Sequence, residues 1–373
     1  MPSKRPPNRS KPSVASQANR NAVPPDDDPE ASLANPAVIS LALQQLTLNV
    51  FRKAFPDTFN PELANTLQSV KRALFERDFM TAFGDAAHLQ AYAARWSPSR
   101  ALAYTLVFCE ALNTIGLYSK VPAPAPSNEP EAMRIVCLGG GAGAELVALG
   151  AAVKSLRDEG QDARRSIEMT AVDIAAWGPI METLFQGLVT PPPISKYAAA
   201  HVVAANVPLI GPTDLRYSFI QRNLLDTSPE EVANLVSGAD LVTIFFTLNE
   251  LYSTSMAKTN TLLMRIKKNM APGSHILVVD SAGSYATITL NGGEKNYPMH
   301  WLLDHIMLKE KDGDKKAEGE ASKSKSGEPS WTKLQSEEST WFRIPEGLKY
   351  PPELENMRYQ LHLYQNSKDV PQP

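Results

Sequence analysis

Cysteine is scarce in this chain of 373 residues, which contains only Cys109 and Cys137. Two cysteines cannot build a disulfide scaffold or a four-cysteine zinc site, and their spacing suggests neither. We therefore expect a protein of a reducing compartment. Excess positive charge is also absent, since 37 lysine and arginine residues face 40 aspartate and glutamate residues, for a formal net charge of −3. This balance excludes a protein that binds nucleic acid through bulk charge alone.

Long apolar runs are absent as well. The most apolar stretch, residues 241–248, falls well short of the roughly 18 residues that a membrane-spanning helix needs. Residues 1–20 lack the apolar core of a signal peptide, and their prolines argue against the amphipathic helix of a mitochondrial presequence. We expect no membrane partner.

Four segments have too few apolar residues to form a core. Residues 1–35 are predicted to be a disordered tail, although their basic residues also suit a nuclear-localisation or RNA-contacting arm. Residues 122–131 are a proline-rich linker, 309–330 a disordered insertion of mixed charge, and 367–373 a short tail. Two structured regions remain between them.

The first structured region, residues 36–121, is predicted to be a helical cap. Apolar residues recur at helical spacing until Pro56, and helices are then expected over 63–83, 86–95 and 99–117. The second region, 132–366, alternates strands with helices. Strands are predicted over 134–138, 167–173, 217–221, 241–247, 275–280, 341–344 and 357–364. This order indicates an α/β fold with a doubly wound, mostly parallel seven-stranded sheet that ends in an antiparallel hairpin.

A glycine-rich turn follows the first strand of this sheet and opens a helix. Gly139, Gly141 and Ala144 fit a dinucleotide pattern, whereas Gly139, Gly141 and Gly143 fit the pattern of methyltransferases. A tight turn that binds nothing is a third possibility. Bare backbone and free helix amides suit a nucleotide-type ligand.

Polar residues follow the later strands. Asp173 ends the second strand, where it suits the hydroxyl groups of a ribose or, alternatively, caps the next helix. Asn223 follows the third strand, and we predict a contact with an adenine amino group, with a simple Asn/Asp turn as the alternative. Thr247, Asn249 and Glu250 follow the fourth strand and are predicted to face the reacting groups. Helix capping is the alternative for these three, although Ser253, Thr254 and Ser255 already supply caps.

Four motifs together carry a family resemblance: CLGGGAGAE, AVDIAAWGPI, FIQRNLLD and DLVTIFFTLNELYS. The chain resembles class I S-adenosylmethionine-dependent methyltransferases. More narrowly, it is similar to the fungal enzymes that methylate N3 of a uridine in large-subunit (25S) ribosomal RNA. The resemblance covers roughly residues 36–308 and 340–365.

The resemblance implies S-adenosyl-L-methionine as cofactor and assigns residues to it. The cofactor-binding set is Gly139, Gly141, Gly143, Asp173, Ile174, Asn223, Leu224 and Thr247. The glycines pass under the methionine and ribose, Asp173 takes the ribose hydroxyls, Ile174 packs on the adenine, and Thr247 lies near the sulfonium. Many family members carry an acid where this chain has Cys137, so another acceptor, such as a backbone carbonyl or Glu145, must meet the ligand's amino group.

Methylation of uridine N3 requires loss of its proton, because the ground-state nitrogen is not nucleophilic. Glu250 is the candidate proton acceptor and Asn249 the candidate for orienting the uracil edge. The base must be unpaired or flipped out, with Trp177, Tyr252 or Trp301 as stacking candidates, or else as plain core residues.

The implied partner is large-subunit ribosomal RNA or a pre-60S particle. We expect a monomer without a metal ion, located in the nucleus or nucleolus and the cytoplasm. Two alternatives stay open: a methyltransferase that acts on another RNA or a protein, and a methyltransferase-like assembly factor without catalysis. An NAD-dependent oxidoreductase is disfavoured, because no convincing Tyr-x-x-x-Lys or histidine arrangement is present.

Overall fold

The computed structural model describes residues 39–116, 132–160, 166–200, 203, 206–290, 293–308 and 331–367. The predicted tail 1–35, linker 122–131, insertion 309–330 and residues 368–373 lie outside the described residues. The described part of Ala37–Pro373 belongs to one compact unit.

A seven-stranded sheet organises this unit. Nine strands are described: β1 (Met133–Leu138), β2 (Ile167–Asp173), β3 (Leu215–Gln221), β4 (Leu241–Phe245), β5 (His275–Ser281), β6 (Tyr285–Leu290), β7 (Gly293–Pro298), β8 (Trp331–Phe342) and β9 (Met357–Asn366). The sheet has the order β3-β2-β1-β4-β5-β9-β8, and β6 pairs with β7 separately. The first five strands of that order are parallel, and β9 pairs antiparallel with β5 and β8. The predicted sheet and its terminal hairpin are confirmed.

Helices cover both faces of the sheet. They are α1 (Leu41–Ala54), α2 (Leu63–Phe75), α3 (Phe79–Phe83), α4 (Ala86–Arg95), α5 (Ser97–Thr114), α6 (Ala144–Asp158), α7 (Gly178–Val189), α8 (Pro229–Val236), α9 (Leu248–Thr254), α10 (Met256–Asn269) and α11 (Met299–Leu308). Among these described helices, none has the length and apolar character that crossing a bilayer requires.

Burial on both faces explains why the central strands are continuous apolar runs. Every residue of β4 is buried, and successive residues of β1 contribute to two different clusters. Ile135 joins the cluster under α5, α6 and α7, whereas Val136 joins the one under α8, α10 and α11. Most of α5 is buried too, so the N-terminal helices share the core of the sheet.

The structure differs from the sequence expectation in several places, and β6, β7 and α11 match no predicted element. The helix predicted over 63–83 breaks at Arg77, which has φ 58°, and Asp78 then caps α3 by accepting a hydrogen bond from Thr81 N at 3.0 Å. Strand β4 ends at Phe245 rather than 247, and helix α9 begins at Leu248, a short helix that was not predicted. Strand β8 starts at Trp331 rather than 341, because its polar, edge-strand sequence lacks an apolar signal.

Candidate active site

A cavity of about 640 Å³ opens at the carboxyl ends of β1, β2 and β4. This is where the strand order reverses, and open α/β sheets bind ligands at such a point. One side of the cavity belongs to the sheet and its loops. The opposite side, called the helical wall below, consists of Leu74, Arg77, Phe79, Phe83, Tyr92, Arg100 and Tyr104.

The glycine turn forms the floor of the cavity. Gly139 has φ 86°, and a Cβ there would collide with the side chain of Thr247. A Cβ on Gly141 would enter the ring of Trp177 and lie 2.7 Å from Cβ of Asp173. Gly143 begins α6 with φ 80° and lies against Leu184. Gly139 lines the cavity, whereas Gly141 and Gly143 let α7 and the end of β2 pack against the turn.

Asp173 lies at the end of β2 and lines the cavity, as its position in the sequence suggested. Its Oδ2 accepts a hydrogen bond from Gly141 N at 3.2 Å, and its Oδ1 accepts one from Ala175 N at 3.1 Å. Burial raises the pKa of this carboxyl group, while those backbone bonds act in the opposite direction. The side chain of Trp177 and the backbone of Ile174 also hydrogen-bond this carboxylate, so it is held in a fixed orientation at the edge of the cavity.

The residues after β3 form another part of the cavity lining. Asn223 uses both ends of its amide within the turn: Oδ1 accepts from Leu225 N at 3.1 Å, and Nδ2 donates to Asp226 Oδ2 at 2.7 Å. The structure therefore shows the Asn/Asp-turn alternative for its side chain, although Asn223 still lines the cavity. Leu224 and the half-exposed Ile174 supply apolar surface beside it.

The residues after β4 reach the cavity from the other side. Thr247 lines it, and its hydroxyl donates to Phe245 O at 3.0 Å. Glu250 also lines it, with an exposed side chain. Asn249 is not among the lining residues. Its backbone N donates to Oδ2 of the buried Asp280 at 3.0 Å, which anchors the start of α9.

A buried acid lies beneath the glycine turn. Glu145, in the first turn of α6, is 3% exposed and accepts a hydrogen bond from the hydroxyl of Thr243 at 2.9 Å. A Cβ on Gly140 would lie 2.7 Å from Oε2 of Glu145, so the carboxyl group contacts the turn itself. The pKa of Glu145 is raised to about 8, chiefly by burial and also by the nearby Asp173, while hydrogen bonds with Thr243 and Cys137 oppose the shift.

Sequence reasoning missed the helical wall. Arg100 on α5 lies over the rings of Tyr92 and Phe246, with distances of 5.7 Å and 5.5 Å to the centroids. Phe83 packs edge-on against Tyr92 at 5.3 Å between ring centroids. One signal was available: α5 carries a single cation, Arg100, four residues before the buried Tyr104.

The three aromatic stacking candidates have different positions. Trp177 is 2% exposed, packs against Phe83 at 5.3 Å and lines the cavity. Tyr252 is buried outside the lining, and Trp301 is an exposed residue of α11. Among the described residues, no group of three or more histidine, cysteine, aspartate or glutamate side chains is arranged to hold a metal ion.

A glycine turn, an oriented carboxylate on the neighbouring strand and a β3-β2-β1-β4-β5 parallel core together define a class I methyltransferase fold. The chain belongs to a family of SAM-dependent methyltransferases, whose family model matches residues 51–365. SAM, S-adenosyl-L-methionine, is therefore its cofactor.

Particular relatives narrow this description. The chain is 30% identical over 343 residues to the 25S rRNA (uridine(2843)-N(3))-methyltransferase of Saccharomyces cerevisiae (strain ATCC 204508 / S288c), covering 86% of this chain and 85% of that protein. Among solved structures, an O-methyltransferase family protein from Burkholderia thailandensis is 12% identical, with a TM-score of 0.35 and coverage of 87% and 73%. A SAM-dependent methyltransferase from Methanosarcina mazei is 9% identical, with a TM-score of 0.35 and coverage of 64% and 95%.

Proposed function

We propose that this protein methylates N3 of a uridine in large-subunit ribosomal RNA, with S-adenosyl-L-methionine as methyl donor. The observation that carries the proposal is the 30% identity to the yeast uridine-N3 methyltransferase, which extends over 86% of this chain. The match includes the helical wall as well as the sheet, because the aligned length exceeds that of either part alone. The same substrate class is therefore the simplest inference.

The residues of the cavity fit the cofactor. Asp173 offers an oriented carboxylate to the ribose hydroxyls, and Ile174 and Leu224 offer apolar surface to the adenine. Glu145 is a buried carboxyl group against the glycine turn and suits the ammonium group of the methionine part, since Cys137 cannot accept it as an acid would. When bound, the cofactor supplies a methyl group already activated by its sulfonium centre, so that the protein has to position and desolvate the reactants.

The residues near the mouth of the cavity fit a uridine. Glu250 is an exposed carboxylate that lines the cavity beside Thr247, and it is the candidate acceptor of the N3 proton. The hydrogen bond from Asn249 N to Asp280 fixes the turn that presents Glu250. N3 lies on the Watson–Crick edge, so the target base must be unpaired or flipped before it enters.

The proposed substrate also suggests where the protein acts. Ribosomal RNA in a pre-60S particle is accessible in the nucleolus, the nucleus and the cytoplasm, and we propose these compartments. The basic residues near the N-terminus and the near-neutral net charge support recognition of a structured particle through local contacts.

The decisive measurement is mass spectrometry of nucleosides from large-subunit ribosomal RNA. A strain without this protein should lose one 3-methyluridine, and the wild-type gene should restore it. Asp173→Ala should fail to restore it, because the ribose carboxylate is gone. An unchanged level of 3-methyluridine in the deletion strain would refute the proposed function. A ribosome-assembly defect that Asp173→Ala repairs would instead support an assembly factor without catalysis.

A further inference from the structure

The helical wall holds one guanidinium group among aromatic rings. Arg100 is partly buried, and its Nη1 donates to the hydroxyl of Tyr92 at 2.5 Å. Its flat face lies over the rings of Tyr92 and Phe246, which belong to α4 and to the turn after β4. The group thus bridges the helical wall and the sheet side of one cavity.

Arg100 keeps its charge, because a guanidinium group does not deprotonate in proteins. Among the residues that the structure describes, no carboxylate lies within salt-bridge distance of it. The acidic groups that influence it, Asp280 and Glu145, act through space rather than through direct contact. A partly buried cation without a carboxylate partner is costly, so its presence in a ligand cavity favours a ligand that is anionic or becomes so.

The rings around Arg100 suit a flat ligand. Phe246 has φ 51°, a backbone conformation that is strained for a residue with a side chain and that concentrates at functional sites. Its ring lies 6.2 Å from that of Tyr104, and Tyr92 lies 5.3 Å from Phe83. Aromatic side chains and arginine planes are the groups on which proteins stack unpaired RNA bases.

We propose that Arg100 donates a hydrogen bond to a carbonyl oxygen of the target uracil and stabilises the negative charge that develops there when N3 loses its proton. This inference rests on the proposed function and assigns the residue that makes the substrate reactive. In this step the N3–H bond breaks, the proton passes to the carboxylate of Glu250, and the electron pair stays on the ring. The resulting charge is shared by N3, O2 and O4, where a fixed cation lowers its energy.

With this role, Arg100 also favours uracil over cytosine as the substrate base. Cytosine has no proton on N3, so no anion forms next to the guanidinium group and Arg100 gives no advantage. A site that stabilises the deprotonated base therefore favours uracil without contacts to the neighbouring nucleotides.

The test compares wild type with Arg100→Gln and Arg100→Lys. The substrate is large-subunit ribosomal RNA transcribed in vitro, with either uridine or 5-fluorouridine, whose electronegative substituent makes N3–H more acidic. With uridine, Arg100→Gln should lower the single-turnover rate about 10²- to 10³-fold, the usual cost of one lost donor to a developing anion. Replacing uridine by 5-fluorouridine should raise the single-turnover rate of Arg100→Gln by a factor at least ten times larger than the factor for wild type. The rate of Arg100→Lys should lie between those of wild type and Arg100→Gln.

Calorimetry with S-adenosylhomocysteine supplies the second readout. Arg100→Gln should bind this cofactor product as wild type does, which also shows that the variant is folded. The exposed Arg216 of β3 provides a control, since Arg216→Gln should change neither rate nor binding. The inference is overturned if Arg100→Gln weakens S-adenosylhomocysteine binding in proportion to the rate, which would place Arg100 on the cofactor carboxylate. It is equally overturned if 5-fluorouridine helps wild type and Arg100→Gln alike.

The same experiment separates this inference from the proposed function. Wild type that forms no 3-methyluridine on the transcript would refute the proposed function and the role of Arg100 together. Active wild type with an unaffected Arg100→Gln variant would refute only the role of Arg100.

Discussion

Replacement of the buried acid Glu145 by glutamine should remove the pH dependence of cofactor binding. Glutamine keeps the shape of the protonated side chain and can still accept the hydrogen bond from Thr243. It cannot become an anion. Any affinity that depends on a carboxylate facing the ammonium group of the methionine part is therefore lost in Glu145→Gln.

The size of the effect follows from the pKa of Glu145, which burial raises to about 8. Below that pH the free protein carries the proton, whereas the complex needs the carboxylate. Binding must then release one proton, and the affinity of wild type should rise about tenfold between pH 6 and pH 7. Above about pH 8 the gain ends, because Glu145 of the free protein has then already lost its proton.

The loss of affinity that Glu145→Gln should show at pH 8 can also be given a range. A hydrogen bond to a charged group contributes about 1.5–3 kcal/mol, so Glu145→Gln should weaken binding about 10- to 150-fold. The other groups around Glu145 are Thr243, Cys137, Asp173 and Arg100. Of these, Asp173 would meet neutral hydroxyl groups and Arg100 keeps its charge, so neither supplies the same pH dependence.

Isothermal titration calorimetry with S-adenosylhomocysteine measures both quantities. Repeating the titration at pH 6 in buffers of different ionisation enthalpy counts the protons, and we expect about one released by wild type and none by Glu145→Gln. The control ligand is 5′-methylthioadenosine, which retains the adenosyl part of S-adenosylhomocysteine but lacks its amino acid part. Its affinity should not change with the substitution or between pH 6 and pH 7.

Two results would refute the reasoning about Glu145. Equal weakening of both ligands in Glu145→Gln would mean that the side chain supports the cavity rather than the ammonium group. A wild-type affinity for S-adenosylhomocysteine that stays constant from pH 6 to pH 7 would mean that the carboxyl group does not ionise on binding.

Other predictions concern packing, the ribose and acid stability. Gly141→Ala should lower the free energy of unfolding by about 1–3 kcal/mol in urea titrations, because its Cβ enters Trp177, whereas Gly178→Ala, with ordinary contacts, should not. Asp173→Asn should weaken S-adenosylhomocysteine and 5′-methylthioadenosine equally in calorimetry, since both carry the ribose; an effect on one ligand alone would contradict this. Burial lowers the pKa of His362 from 6.5 to about 4 in the folded protein. As the pH falls, this histidine is protonated in the unfolded chain before it is protonated in the folded one, so the free energy of unfolding decreases between about pH 6.5 and pH 4. The loss should reach about 2 kcal/mol at pH 5, and His362→Gln should reduce it.

The sheet and its cofactor side were predictable because their signals are local. Mainly apolar runs of five or six residues in β1 and β4 predict buried parallel strands, and the glycine turn follows the first of them directly. Asp173 is the last residue of its strand, so topology alone brings it to the turn. The carboxyl ends of parallel strands meet at one edge, which makes position in the sequence a guide to position in the site.

The helical wall was not predictable in the same way. Arg100 reaches Phe246 only because α5 packs under the sheet, and no periodicity in either segment reports that contact. The role given to Asn223 shows a limit of a different kind and stays a prediction. Its position after β3 suggested a ligand contact, but a local turn already occupies both ends of the amide. Short-range hydrogen bonding competes with ligand binding for side chains of this type.

The two sides of the cavity are joined by a specific contact. Ser97, the first residue of α5, donates a hydrogen bond from its hydroxyl to the carbonyl of Ala142 in the glycine turn at 2.8 Å. The helix that carries Arg100 is thereby tied to the turn that the cofactor is proposed to contact. Ser97 lies three residues before Arg100, so the same turn of α5 contacts the glycine turn and carries the guanidinium group to the cavity. The position of the turn and the position of Arg100 are therefore linked through α5, which a loose attachment of the N-terminal helices would not achieve.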